Sequence, residues 1–148
     1  MARKDNRIFS QAQGETNVDR AGRSPLHYAA QEQDFNRVKG LIQEGEDVNL
    51  ADRNGWTPLR FAAQSNNAEI AQLLLDCGAL VDPRDGHDNT PLFRAVFNSR
   101  GRGELIELLR KRGASPISKN ESGVSPTRLA RTIANYNLAE FFLDVKED

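Results

Sequence analysis

The chain has 148 residues, 38% of them apolar and 28% charged, with a formal net charge of −1, a balance that fits one folded domain and excludes a wholly disordered chain. No run approaches the roughly 18 consecutive apolar residues that a membrane helix requires, and the opening Met1-Ala2-Arg3-Lys4-Asp5-Asn6-Arg7 lacks the apolar core of a signal peptide. A net charge near zero argues against a general nucleic-acid binder, while the single cysteine, Cys77, excludes an intrachain disulfide and suits a reducing, cytoplasmic location.

Residues 1–18 match nothing later in the chain and are expected to form an N-terminal arm or cap, with Ile8 and Phe9 covering the open face of the first repeating unit. Gly40, standing where later copies have Leu73 and Leu108, would leave room for that arm. From Asp19 onward the sequence repeats itself, in units spanning 19–51, 52–84, 85–119 and 120–148. Each unit opens on a hydroxyl residue and a proline: Ser24-Pro25-Leu26, Thr57-Pro58-Leu59, Thr90-Pro91-Leu92 and Ser125-Pro126-Thr127. The first three are spaced by 33 residues and the last by 35. The hydroxyl suits a helix N-cap, and proline suits the first helical position, where its missing N–H costs nothing.

A short first helix is predicted in each unit, running to about Gln31, Gln64, Phe97 and Ile133, with Ala29-Ala30, Ala62-Ala63 and Ala95 allowing close approach of neighbours. A polar break comes next, then a second helix with apolar residues at helical spacing. The expected core sets are Phe35, Val38, Leu41 and Ile42; Ile70, Leu73 and Leu74; Leu105, Leu108 and Leu109; and Leu138, Phe141 and Phe142. Gly45, Gly78 and Gly113 would stop the first three second helices. Two extra residues fall in the third unit, in Asn98-Ser99-Arg100-Gly101-Arg102-Gly103. Asp-, Asn- and Gly-rich turns join the units. The departures Thr127 and Arg128 and the charged tail Asp144 to Asp148 mark a C-terminal cap.

A 33-residue period with this opening, fullest in Ser24-Pro25-Leu26-His27-Tyr28-Ala29-Ala30, resembles the ankyrin repeat. The resemblance covers residues 19 to about 145. It implies an all-α solenoid of about four stacked helix-turn-helix units with hairpin-like fingers, and a protein partner docked on finger tips and on the concave face of the first helices. Carried onto this chain, those positions include Arg23, Glu32, Arg53, Trp56, Gln64, His87, Asn89 and Phe97. Trp56 and Phe97 are large aromatics of the kind that anchor interfaces, although each ring could equally lie on a neighbouring element. Arg60 replaces the histidine of the motif and would be free to meet a partner. Arg100 and Arg102, in the insertion, would seat an acidic partner surface, whereas Arg110-Lys111-Arg112 suits a helix end. His27 has a structural role in the family, and the recurring Asp19, Asp52 and Asp85 read as turn formers.

No catalytic constellation appears, because His27, His87 and Cys77 fall at unrelated places in the repeat frame, and phosphate loops, nucleophile elbows and metal motifs are missing. The expectation is a non-enzyme with no cofactor, metal, small-molecule substrate or membrane association, monomeric when free. The third unit alone is basic, with 7 basic and 4 acidic side chains, against 4 and 6 in the first. Such charge, on a chain with nothing else attached, points first to an inhibitor or immunity protein that blocks a bacterial toxin enzyme. The alternative is an adaptor or regulatory subunit in intracellular signalling. Nucleic-acid binding through the Arg100 loop comes last.

Overall fold

A computed structural model describes residues 17–147, so the arm expected at 1–18 lies almost wholly outside the described residues. Seven α-helices are arranged in pairs along the chain: α1 Pro25–Gln31, α2 Phe35–Gln43, α3 Pro58–Gln64, α4 Ala68–Asp76, α5 Pro91–Phe97, α6 Glu104–Lys111 and α7 Pro126–Thr132. A 3-10 helix, Leu138–Phe142, takes the place of the second helix in the last unit, where a regular helix was expected. No strand occurs among the described residues. The architecture is an all-α repeat solenoid.

The expected caps form at three of four starts. Thr57, Thr90 and Ser125 accept the backbone N–H groups of Arg60, Phe93 and Arg128, each satisfying one orphan donor of a helix N-terminus. Ser24 differs, because its own N–H donates to His27 Nδ1 at 3.0 Å and its hydroxyl lies 3.0 Å from the same nitrogen. At the far ends of α2, α4 and α6, Gly45, Gly78 and Gly113 take φ values of 90°, 96° and 92°. Their N–H groups donate to Ile42, Leu75 and Arg110, and the next residues donate to Leu41, Leu74 and Leu109. That paired closure needs a left-handed residue, for which glycine has no steric cost.

Short first helices stack side by side because their facing residues are small or fully apolar. Leu26, Ala29, Ala30, Leu59, Ala62, Ala63, Leu92, Ala95 and Val96 are all at most 1% exposed. The second helices pack behind them through Ile70, Ala71, Leu74 and Leu75 of α4 and Leu105, Ile106 and Leu109 of α6. Ala71, Leu75 and Ile106 were not in the expected sets, whereas Leu73 and Leu108, expected inside, flank the apolar stripe half-buried. On α2 only Val38 is fully buried, with Phe35, Leu41 and Ile42 partly covered. No unit closes a core alone, so each depends on its neighbour.

The last unit closes the stack by different means. Thr127 stands where leucine does elsewhere and is fully buried, and its hydroxyl donates to the Pro116 carbonyl at 2.8 Å. A buried hydroxyl without that acceptor would be costly. The insertion after α5 packs on this cap: a methyl group on Gly103 would lie 2.0 Å from the Phe141 ring, so the ring sits in space that any larger residue would fill. Arg110 reaches across from α6, donating to both carboxylate oxygens of Asp144 and to the Phe141 carbonyl.

Candidate protein-binding surface

The turns that open the four units share one device. Asp19, Asp52, Asp85 and Asn120 each turn one side-chain oxygen onto two backbone N–H groups, those of Ala21 and Arg23, Asn54 and Trp56, His87 and Asn89, and Ser122 and Val124. Such Asx-type bonding shapes the turn locally. Successive fingers are then tied in a row, Arg53 N–H to the Ala21 carbonyl, Gly86 to Asn54 and Glu121 to His87. The second carboxylate oxygen of each aspartate is left to face the first helices, which gives the first two junctions between units, at Asp52 and Asp85, one acidic group each.

At the junction of units one and two that acidic group is satisfied. Arg23 Nε donates to Asp52 at 2.9 Å. His27 is fully buried and bridges the units, with Nε2 at 2.9 Å from the Trp56 carbonyl. Because Nδ1 accepts the Ser24 N–H, the bridging proton is assigned to Nε2. Burial pulls the His27 pKa below its ordinary value, and the Trp56 carbonyl offsets this only in part.

At the junction of units two and three the chemistry changes. Arg60 stands at the histidine position and Arg94 one place further along α5, since the order Arg60-Phe61 in the second unit becomes Phe93-Arg94 in the third. The free oxygen of Asp85 lies 4.0 Å from Arg60 Nε and 4.0 Å from an Arg94 amino nitrogen, too far for a hydrogen bond to either. That oxygen and the Nε atoms of both arginines are buried without hydrogen-bond partners. Arg60 does bond Gln64 through another nitrogen, and its guanidinium stacks on Trp56, 3.6 Å from the ring centroid. Burial first, and then repulsion from Arg94, lowers its pKa to about 10 against the attraction of Asp85. Two cations here share one carboxylate.

The expected contact residues separate into groups. Glu32, Arg53, Gln64, Arg100 and Arg102 are exposed, and so are His87, which pairs with Glu121 at 2.6 Å, and Phe97, which is 59% exposed. Arg23 is half-buried against Tyr28, Trp56 and Phe61. Trp56 is half-buried, its edge on Phe61 and its face under Arg60. Two residues depart from expectation. Arg60, expected to be free, is 4% exposed, with its guanidinium stacked on Trp56 and Asp85 beside it. Asn89 is 7% exposed, its side-chain oxygen accepting from Asn120 of the next finger. Arg110 and Arg112 are engaged with Asp144 and Asp76, which makes them ties between units rather than a bare helix end.

Sequence reasoning passed over Arg94. Its signal was a charge at the position held by Tyr28, Phe61 and Leu129 in the other units. Here it is half-buried, with its guanidinium 5.9 Å from the centroid of the Phe97 ring. Arg23, Trp56, Arg94 and Phe97 thus concentrate arginine and aromatic surface where first helices meet fingers. Among the described residues no group of His, Cys, Asp or Glu could hold a metal ion, and no helix is long and apolar enough to cross a membrane. A family model described as ankyrin repeats, in three copies, matches residues 26–120. No curated protein matches the chain.

Proposed function

The chain belongs to the ankyrin-repeat family of protein-protein interaction modules, which are generally non-catalytic, and from that premise we propose that it is an inhibitor or immunity protein that occludes an enzyme. The partner docks where the fingers meet the first helices. The observation that carries this reading is the concentration of Arg23, Trp56, Arg94 and Phe97 at that place, since tryptophan and arginine dominate the energetics of protein interfaces. Glu32, Arg53, Gln64, His87, Arg100 and Arg102 surround it as a polar rim. Arg60 and Asn89 contribute from beneath, holding Trp56 and the third finger in place. A basic third unit and an acidic first unit, with the second between them, supply the uneven field that speeds encounter with a charged partner. The protein works as a cytoplasmic monomer until it meets that partner.

Affinity capture of the tagged protein from its native cell, followed by mass spectrometry and an activity assay, tests this. A stoichiometric enzyme whose activity falls on binding, encoded beside this gene, is the expected result. A captured partner that keeps its full activity would instead favour an adaptor or regulatory subunit. In either case Trp56→Ala should weaken capture far more than it lowers stability, and the reverse would place Trp56 in packing alone.

A further inference from the structure

We propose that the Arg60–Asp85–Arg94 cluster is an incomplete ionic site that one carboxylate of the bound protein, from a Glu or Asp side chain, completes at Arg94. This rests on the protein-binding reading above and names the chemistry the partner must present. The first junction has one arginine on one aspartate, Arg23 with Asp52 at 2.9 Å, and its charges cancel. The second junction has two arginines on one aspartate at 4.0 Å each, which leaves one positive charge and three buried polar atoms without hydrogen-bond partners. A buried charged group lacking its partner is costly, and the shortfall here is one anionic acceptor.

The position of the three groups decides where that acceptor enters. The Arg60 side chain is 5% exposed and Asp85 1%, but Arg94 is 23% exposed, so Arg94 is the member a partner can reach. Phe97 lies beside it on the same helix and shields the contact from water, which strengthens a charge-assisted hydrogen bond. With Arg94 engaged from outside, Asp85 is released to serve Arg60, and each guanidinium then has its own carboxylate. A phosphate carries about 1.5 to 2 negative charges near neutral pH and overshoots the single charge to be balanced. Nucleic acid is disfavoured on a different ground, since its phosphodiesters bind through clustered cations and this chain has a formal net charge of −1.

The test titrates isotope-labelled protein with a blocked hexaglutamate peptide while following the arginine Nε–H resonances. Hexaglutamine, a peptide with one phosphoserine, and a short single-stranded DNA serve as comparisons. At physiological salt the glutamate peptide should shift Arg60 and Arg94 together, and hexaglutamine should not. Arg94→Gln should weaken its binding about tenfold, the loss expected for a hydrogen bond to a charged group. Asp85→Asn should strengthen binding, because it removes the competing carboxylate. The finger survives that change, since Asn120 makes the same backbone contacts in the next one. Lys39→Gln, an exposed charge on α2, should alter binding by less than about twofold, as expected for a surface charge.

Equal binding by wild type and Arg94→Gln would overturn the proposal. So would an equal loss in Lys39→Gln, tighter binding of the phosphopeptide or DNA, or failure of the glutamate peptide to bind. Each of these outcomes removes the carboxylate seat while the protein-binding reading stands or falls on the capture experiment.

Discussion

The first and second junctions of this solenoid are built on the same frame and close differently. Both have a finger aspartate whose one oxygen holds two backbone N–H groups, and in both the finger's Asp N–H donates to a carbonyl four residues on, Asp52 to Trp56 and Asp85 to Asn89 at 3.0 Å. At the first, a neutral histidine reaches that carbonyl and one arginine neutralises the aspartate. At the second, arginine replaces histidine, a further arginine arrives from the third unit, and Asp85 satisfies neither. One junction commits its polar groups to cohesion; the other holds polar capacity in reserve. The repeat frame tolerates this because stability in a stacked array is roughly a sum over neighbours, so a weak junction can sit between strong ones.

The largest expected effect breaks the strong junction. His27→Ala strands the Ser24 N–H, removes the bond between units at the Trp56 carbonyl and leaves a cavity, at a cost of about 2–4 kcal/mol, readable as a lower urea midpoint. Next, Arg60→Met should leave stability unchanged or raise it by up to about 2 kcal/mol, since replacing a buried, imperfectly paired charge with an apolar side chain of similar size is often neutral or favourable. Asp85 then pairs one to one with Arg94. A destabilisation of similar size to that of His27→Ala would show the two junctions to be energetically alike. Arg60→His should rebuild the first junction's bridge toward the Asn89 carbonyl and add about 1 kcal/mol, the net worth of a typical hydrogen bond.

The smallest effect is a pH dependence confined to the first junction. Burial holds the pKa of folded His27 below its unfolded value of about 6.5. As pH falls through that value the unfolded chain takes up a proton first, so stability is full above about 6.5 and declines toward the lower, folded pKa. Urea unfolding at pH 7 and 5.5 should show this decline in the wild type and a shallower one in His27→Gln.

Most of the fold was legible because its determinants are local. The Thr-Pro and Ser-Pro caps, the alanines of the first helices and the glycines that close α2, α4 and α6 act within a few residues, and all recur in register. The 3-10 turn at Leu138–Phe142 was not legible, because its apolar residues fit a helical period and only packing of Phe141 against the insertion at Gly103 distinguishes it. Nor was the role of the insertion, whose arginines are conspicuous in sequence while its glycines receive the cap's Tyr136 and Phe141.

The candidate surface was half legible. Trp56 and Phe97 stood out as aromatics at variable positions, and Arg60 as a replaced histidine, yet whether a side chain is open or enclosed depends on residues from the next unit. Tertiary structure alone buried Arg60 against Trp56, bonded Asn89 to Asn120 and set Arg94 opposite Asp85. By itself the sequence determined a four-unit all-α stack with capped helices, because period and capping are properties of neighbours along the chain. Only the tertiary structure decided that two arginines from different units share a single carboxylate, because ionic balance is counted in space, across distances of a few ångströms between residues 25 and 9 positions apart in the chain.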